Sequence, residues 1–266
     1  MALQFALPRA PLTRRAQAEA LKLHIAAQPK PLTRTLELVV VSPLTRAVET
    51  AIGAFGGGQA SSGPLLMLPQ DGVDGVRAAR PGASAVGVPP FVACELCREH
   101  LGVHPCDRRR SLSHLKERFP AVDWSNIESE ADTLWTADVR ESDEHLARRA
   151  AAFLRWLMAR PEQHIAVVTH SSWLRCACGL AAWRRARADA PWLGSVMTNH
   201  FAGECSVSAG THLKRWFNNA ELRTVVLHDR SGEEWGWGAA GSDWVGGDEG
   251  VAAVASMTGA PAAMEN

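Results

Sequence analysis

Residues Ile165 to Arg175 read IAVVTHSSWLR: four apolar residues run into Thr169 and His170, and a helical pattern begins at once. A short apolar run containing β-branched residues is the mark of a strand buried on both faces. This stretch therefore demands a sheet covered on two sides and puts His170 where the strand ends and a helix starts. In doubly wound α/β sheets, ligands bind beyond the carboxyl ends of the strands, where the amides of a helix N-terminus favour an anion. Taken alone, the segment also fits an ordinary histidine at a strand end.

A second unit copies this layout. Leu36 to Val41, LELVVV, is the next buried-strand pattern, followed by Ser42-Pro43 and a helical pattern through about Phe55. Proline is tolerated there because its missing N–H would have had no partner in a first helical turn. Each unit sets a basic residue near its strand-to-helix junction: Arg46 in one, His170 in the other, with Arg175 as a further candidate. Two such junctions at one sheet edge would make a phosphate-sized anion site. Arg46 by itself reads equally well as a solvated arginine on a first helical turn.

In chain order, Thr13 to Ala27 is an amphipathic helix with Thr13 as its N-cap candidate and Ala18, Leu21 and Ile25 at helical spacing, stopped by Pro29 and Pro31. Gly56 to Gly63 reads as a flexible loop and Asp71 to Pro90 as an irregular insertion over the sheet, with short strand candidates LLML and FVAC around it. Cys94 to Arg110, CELCREHLGVHPCDRRR, concentrates ionisable side chains. Glu99 is the proton donor of choice there, with Glu95 behind it. Ser111 to Phe119 is a short helix ended by Pro120. Glu141 to Ala159 is the clearest helix, with acids in its first turn and Leu146, Phe153, Leu154 and Leu157 on an apolar face; it leads into the His170 strand as a right-handed crossover requires. A helix from Trp173 to about Ala188 follows. Glu221 to Leu227 is a last strand, and residues from Ser231 onward read as a disordered Gly/Ala-rich tail.

With 266 residues the chain can bury a sizeable core, and its 28 basic and 28 acidic residues balance, which points away from nucleic acid and membrane surfaces. Six cysteines in this length do not make a disulfide scaffold, and no apolar run is long enough to span a bilayer. The expectation is a soluble cytoplasmic protein; the first eighteen residues, with arginines and no acid, resemble an organellar transit peptide, but much of the same stretch also reads as part of the fold. Gly236, Gly238 and Gly241 spell G-x-G-x-x-G without a preceding strand or following helix, so chance explains them. Cys94, Cys97, Cys106, Cys176 and Cys178 match no regular zinc spacing, and no metal or other cofactor is expected.

SPLTRAVETA at 42 to 51, CREHLGVHPCDRRR at 97 to 110 and VVTHSSWLR at 167 to 175 resemble the histidine phosphatase superfamily, in particular its plant-type phosphoglycerate mutase-like members. APLTRRAQAEAL at 10 to 21, SNIESEADTLW at 125 to 135 and NNAELRTVVL at 218 to 227 match as well, so the resemblance runs in order over about residues 10 to 230. It implies a three-layer α/β/α domain with a mostly parallel sheet over residues 1–230, the tail 231–266 lying outside it. It also implies phosphoryl transfer or phosphate monoester hydrolysis through a phosphohistidine, on a small phosphorylated metabolite and without a metal. Carried over, Arg46 binds the phosphoryl oxygens, Glu99 protonates the leaving oxygen and His170 hydrogen-bonds the transferred group. A carboxylic acid in that role needs a pKa raised towards the working pH.

One part of the pattern is missing. The family's nucleophile is a histidine in an Arg-His-Gly motif at the end of its first strand, and this sequence contains no Arg-His-Gly. None of the ten histidines takes the role by motif; His24, the first, lies inside a helix candidate. Two readings follow, a phosphatase or mutase whose N-terminal segment lies outside this sequence, and a non-catalytic protein that binds a phosphorylated metabolite or a partner. Removing an inner strand from a parallel sheet leaves unpaired edges and an open core, a loss beyond the usual ~5–15 kcal/mol of total stability, which favours the first.

Overall fold

A computed structural model of the protein describes residues 14–29, 31–73, 79–178, 219–220 and 222. Four parallel strands form the central sheet: β1 (Leu38–Val41), β5 (Phe91–Ala93), β6 (Val122–Asp123) and β7 (Ile165–Val168), in the order β6-β5-β1-β7. β1 pairs on one side with β5, Val40 opposite Val92, and on the other with β7, Val40 opposite Val167. Its four residues are all buried. Alternation along the strands splits the interior in two. Val39, Val41, Phe91, Ala93, Val122 and Ala166 face one cluster; Leu38, Val40 and Val92 face the other.

The first cluster is covered by α2 (Thr45–Phe55), by α3 (Leu112–Arg118) and by Ile25 of α1 (Arg14–Ala26). α1 lies against α2 closely enough that a Cβ at Gly53 would meet the Ala18 Cβ at 2.8 Å, so only glycine fits this crossing. The second cluster is covered by α4 (Asp143–Met158) and by Trp173 of α5 (Ser171–Cys178). Ser142 caps α4 by accepting the His145 N–H at 3.2 Å, and Asp143 and Glu144 stand in its first turn, where the helix dipole favours acids. Helices on both faces of a parallel sheet make the α/β/α sandwich that the buried-strand runs demand.

The chain direction reverses beside β1. From β1 it passes through α2 to β5 and through α3 to β6, moving one way; from β6 it returns through α4 to β7 on the far side of β1. The switch point therefore lies between β1 and β7, the place where open α/β sheets bind ligands.

Two segments differ from their sequence reading. Asp71 to Pro90 is not an irregular insertion throughout: β4 (Gly82–Ser84) pairs antiparallel with β2 (Gln59–Ala60) and β3 (Leu65–Met67), and Gln70 bridges to Arg80. The Gly56–Gly63 loop correspondingly holds β2. These strands are two or three residues long, too short for alternation to mark them, and they exist because their backbone groups find partners across the turn. The expected N-cap Thr13, the chain beyond Cys178 with its remaining helix, and the Ser231 tail lie outside the described residues. Of the expected 221–227 strand only Leu222 is described, and it packs against the first cluster.

Phe153 ties the helix that precedes β7 to the helix that follows it. Its ring, 1 % exposed, meets Trp173 edge-on at 5.2 Å and Trp156 at 5.9 Å. Phe153→Ala should lower stability by ~3–5 kcal/mol, read as a drop in the urea unfolding midpoint followed by tryptophan fluorescence. A loss below ~1 kcal/mol would mean that the α4–α5 contact is not fixed as described.

Candidate functional site

Because β1, β5 and β7 are parallel neighbours, their carboxyl ends open on one sheet edge, and each delivers a functional side chain there. β1 leads to Ser42 and, in the first turn of α2, to Arg46; β5 leads through a single 3-10 turn (Glu95–Cys97) to Glu99; β7 leads to His170, just before α5. The three residues singled out from the sequence thus come to one edge. They also feel one another electrostatically: His170 responds to Arg46, Glu99 and Asp107, and Glu99 responds to His170.

His170 is buried, and its Nε2 lies 2.8 Å from Ser42 Oγ across the β1–β7 switch point. Burial and the charge of Arg46 push its pKa down to about 3, against the opposing pull of Glu99 and Asp107. It is therefore a neutral imidazole at physiological pH. Thr169 donates its hydroxyl to Cys97 O at 2.6 Å, and Trp173 donates its indole N–H to Leu96 O at 2.9 Å, which fasten the His170 segment to the turn before Glu99.

Glu99 differs from its sequence reading. Burial raises a carboxyl pKa, but the His100 side chain 3.5 Å from Glu99 Oε1, the charge that His170 carries when protonated and the His100 N–H donated to the same oxygen at 3.1 Å together more than offset it. The Glu99 pKa falls to about 2, so the free site holds a carboxylate, not the raised acid expected of a proton donor. Since His170 is neutral above about pH 3, His100 and its amide carry this at physiological pH. The His100 pKa is raised in turn by Glu99 and by Asp143, 3.1 Å away. No local pattern singles out His100, which stands in an irregular loop.

Glu95 does not stand behind Glu99. Its two oxygens take Arg98 at 2.9 Å and Arg109 at 2.7 Å, both arginines being buried, and so it belongs to the scaffold. Arg98 also binds Asp132 at 2.6 Å, and Arg109 reaches the carbonyls of Ser129 at 2.8 Å and Ala131 at 3.0 Å. Arg149 of α4 donates to the carbonyls of Leu96, Arg98 and Glu99 at 3.0, 2.8 and 3.1 Å, while its charge is met by Glu141 at 2.7 Å. These arginines hold the Glu99 loop in place.

Asp107 is a site residue that sequence reading missed. Its carboxylate, 5 % exposed, takes Arg46 Nη2 on Oδ1 and Arg140 Nη1 on Oδ2, both at 2.8 Å, and Arg46 also bonds Cys106 O. The loop before it is strained. Gly102 has φ +81° and a Cβ there would strike the Val139 carbonyl, and Val103, a β-branched residue, has φ +63°, with the His104 N–H bonded back to Gly102 O at 2.8 Å. Cys94 and Cys97 are buried side by side, Cys97 Sγ donating to Cys94 O at 3.2 Å, and Cys106 is exposed. No group of three or more metal-binding side chains occurs among the described residues. The Arg175, Cys176 and Cys178 side chains, and the glycine motif at 236–241, lie outside the described residues.

A parallel sheet between helix layers, with a buried neutral histidine, a carboxylate and an arginine beyond its strand ends, defines an α/β protein with a polar site at its carboxyl edge. The chain belongs to the histidine phosphatase superfamily. The model of that superfamily's branch 1 matches residues 106–204, which include His170 but begin after Arg46 and Glu99. Phosphoglycerate mutase-like protein 1 of Arabidopsis thaliana is 40% identical over 215 residues, covering 81% of this chain and 68% of that protein. A second Arabidopsis thaliana phosphoglycerate mutase-like protein is 38% identical over 218 residues, covering 80% of this chain and 70% of its own length. A probable phosphoglycerate mutase of Arthroderma benhamiae is 43% identical over 56 residues, 20% of this chain and 17% of that protein. No solved structure matches.

Acid should destabilise the protein through His170 first. The unfolded chain takes up its proton near pH 6.5 and the folded chain only near 3, so stability present above 6.5 is lost as the pH falls between the two. Below 4.5 and down to about 2, Glu99 adds a loss of the same sign. The urea midpoint should fall from about pH 7 to about pH 4, and should fall less in His170→Gln. Parallel profiles for the two proteins would refute the buried neutral histidine.

Proposed function

We propose that this chain carries the phosphoryl-binding and proton-donating part of a phosphohistidine-type phosphatase or mutase site, acting on a small phosphate monoester. The observation that supports it most is that the carboxyl ends of β1, β5 and β7 deliver Arg46, Glu99 and His170 to one sheet edge, where the charges of Arg46 and Glu99 both act on His170. Arg46 donates to the phosphoryl oxygens, whose charge spreads over three positions as the bond to the leaving oxygen lengthens. His170 supplies a neutral N–H donor in place of its bond to Ser42. Glu99 is ionised in the free site, and a phosphoryl dianion arriving beside it raises its pKa by like-charge repulsion, so the carboxyl takes up the proton that it then gives to the leaving oxygen.

The attacking group in this reading is a histidine from a strand outside this sequence. Among the described residues, the edge of β7 away from β1 is unpaired, and Ile165, Val167 and Val168 are only partly buried, whereas β1 is fully enclosed. A further parallel strand at that edge would enclose β7 and end beside His170. His24 does not fit the role: it is exposed near the end of α1 and pairs with Gln28 at 3.2 Å. The absence of Arg-His-Gly from the sequence favours a second reading, a binder of phosphorylated metabolites without turnover. In both, the partner is a small phosphate ester and not nucleic acid, consistent with balanced charge. No helix among the described residues is long and apolar enough to cross a membrane.

The protein should bind inorganic phosphate or orthovanadate, with proton uptake visible as a buffer-dependent binding enthalpy, and lose that binding in Arg46→Ala. Unchanged binding in this variant would refute the site. The intact mass and N-terminal sequence of the protein made by its own cell separate the two readings. A product that begins upstream and contains Arg-His-Gly supports transfer; one that begins at Met1 and binds phosphate without hydrolysing p-nitrophenyl phosphate supports the binder.

A further inference from the structure

We propose that Arg140 is a second arginine of the anion site and donates to the same phosphoryl group as Arg46; this rests on the reading of Arg46 as an anion ligand. The Asp107 carboxylate, almost wholly buried, holds both guanidinium groups, one on each oxygen. Both guanidinium groups therefore converge on one carboxylate. Arg140 is further fixed through Nη1 by the carbonyls of His100 at 3.1 Å and Gly102 at 2.8 Å, in the loop that carries Glu99. Its Nε and Nη2 donors have no protein acceptor among the described residues, and a third of its side chain is exposed.

Arg98, Arg109 and Arg149 are committed to the protein: their side chains are 0 %, 0 % and 7 % exposed, and apart from the unpartnered Arg98 Nε their N–H groups go to carboxylates and carbonyls. Arg108 and Arg110 are exposed, and Arg108 lies over the Trp135 ring. Arg46 and Arg140 keep 27 % and 33 % exposure, which leaves them donors for a ligand. Charge gives the stronger argument. With Arg46 alone, Asp107 and an ionised Glu99 leave the site one negative charge in excess before a phosphoryl dianion arrives; Arg140 brings the balance to zero, and the proton that Glu99 takes up on binding makes it positive. Because Asp107 and two carbonyls already hold Arg140, little side-chain freedom is lost on binding.

The test is isothermal titration of the full chain and its variants with inorganic phosphate and with orthovanadate. Arg140→Ala should weaken binding of both on the order of tenfold or more, the loss of a charge-assisted contact, and Arg140→Lys, which keeps the charge without the fork, should recover part of it. Arg46→Ala serves as the reference. If Arg140→Ala binds as the unaltered protein does while Arg46→Ala does not, Arg140 is a strut of the loop and the inference is overturned, with the Arg46 site intact. If Arg46→Ala also binds normally, or the unaltered protein binds neither anion, the functional reading falls together with the inference. Should Arg140→Ala fail to fold by circular dichroism, Arg140→Lys settles the matter: full affinity overturns the inference and weakened affinity supports it.

Discussion

A guanidinium withdrawn from water must find an oxygen for its N–H groups, and three arginines meet that requirement by stitching the Glu99 loop to the rest of the domain. Arg149 reaches out of α4 to three successive-turn carbonyls, Leu96, Arg98 and Glu99, and is neutralised by Glu141. Arg98 and Arg109 bind Glu95, Asp132 and the 129–131 backbone. One donor, Arg98 Nε, stays without a partner, and the remaining bonds carry it. A segment with little regular structure thereby acquires the fixed geometry that strands and helices get from their own backbone, and a buried pair broken on one side would leave an uncompensated charge.

That scaffold sets the electrostatics of the edge it supports. Holding the loop against β7 buries His170 and keeps its imidazole neutral, while the same loop brings His100 onto Glu99 and keeps that carboxyl ionised. Both pKa values are displaced downward, which leaves His170 neutral and Glu99 ionised, and on the reading proposed above a bound dianion would draw a proton back to Glu99. The strained Val103, next to a Gly102 that takes positive φ freely, falls in the stretch that connects Glu99 with Asp107, so backbone cost is concentrated between the two carboxylates.

The family assignment and the sheet topology bear on the same point. The superfamily model and the Arabidopsis relatives align with a chain whose strands run β6-β5-β1-β7, with Arg46 and His170 on either side of the switch point. β1 is enclosed because it has a partner on each side, and β7 is half-open because, among the described residues, it has one. On the proposed reading, what stands beyond β7 governs whether the site also holds an attacking group.

Much of this was legible in the sequence for simple reasons. Apolar runs rich in β-branched residues, such as LVVV at 38 to 41 and IAVVT at 165 to 169, fit strands of a parallel sheet between helix layers, β1 fully and β7 partly enclosed, and strand-to-helix junctions put Arg46 and His170 at its carboxyl edge. Family blocks added Glu99. The sequence could not separate the arginines of CDRRR and its surroundings into struts and ligands, because burial depends on acceptors supplied from residues 129–132, 141 and the carbonyls of a distant loop. Nor could it find Asp107 or Arg140, which matter through one shared contact 33 residues apart. The ionised state of Glu99 was read the wrong way for the same reason: pKa follows neighbours in space, and His100 counts only once the loop is folded against it. Local pattern determined where the strands and their ends lie; long-range packing alone decided which charges meet there, since Coulomb energy and desolvation depend on distance through the fold and not along the chain.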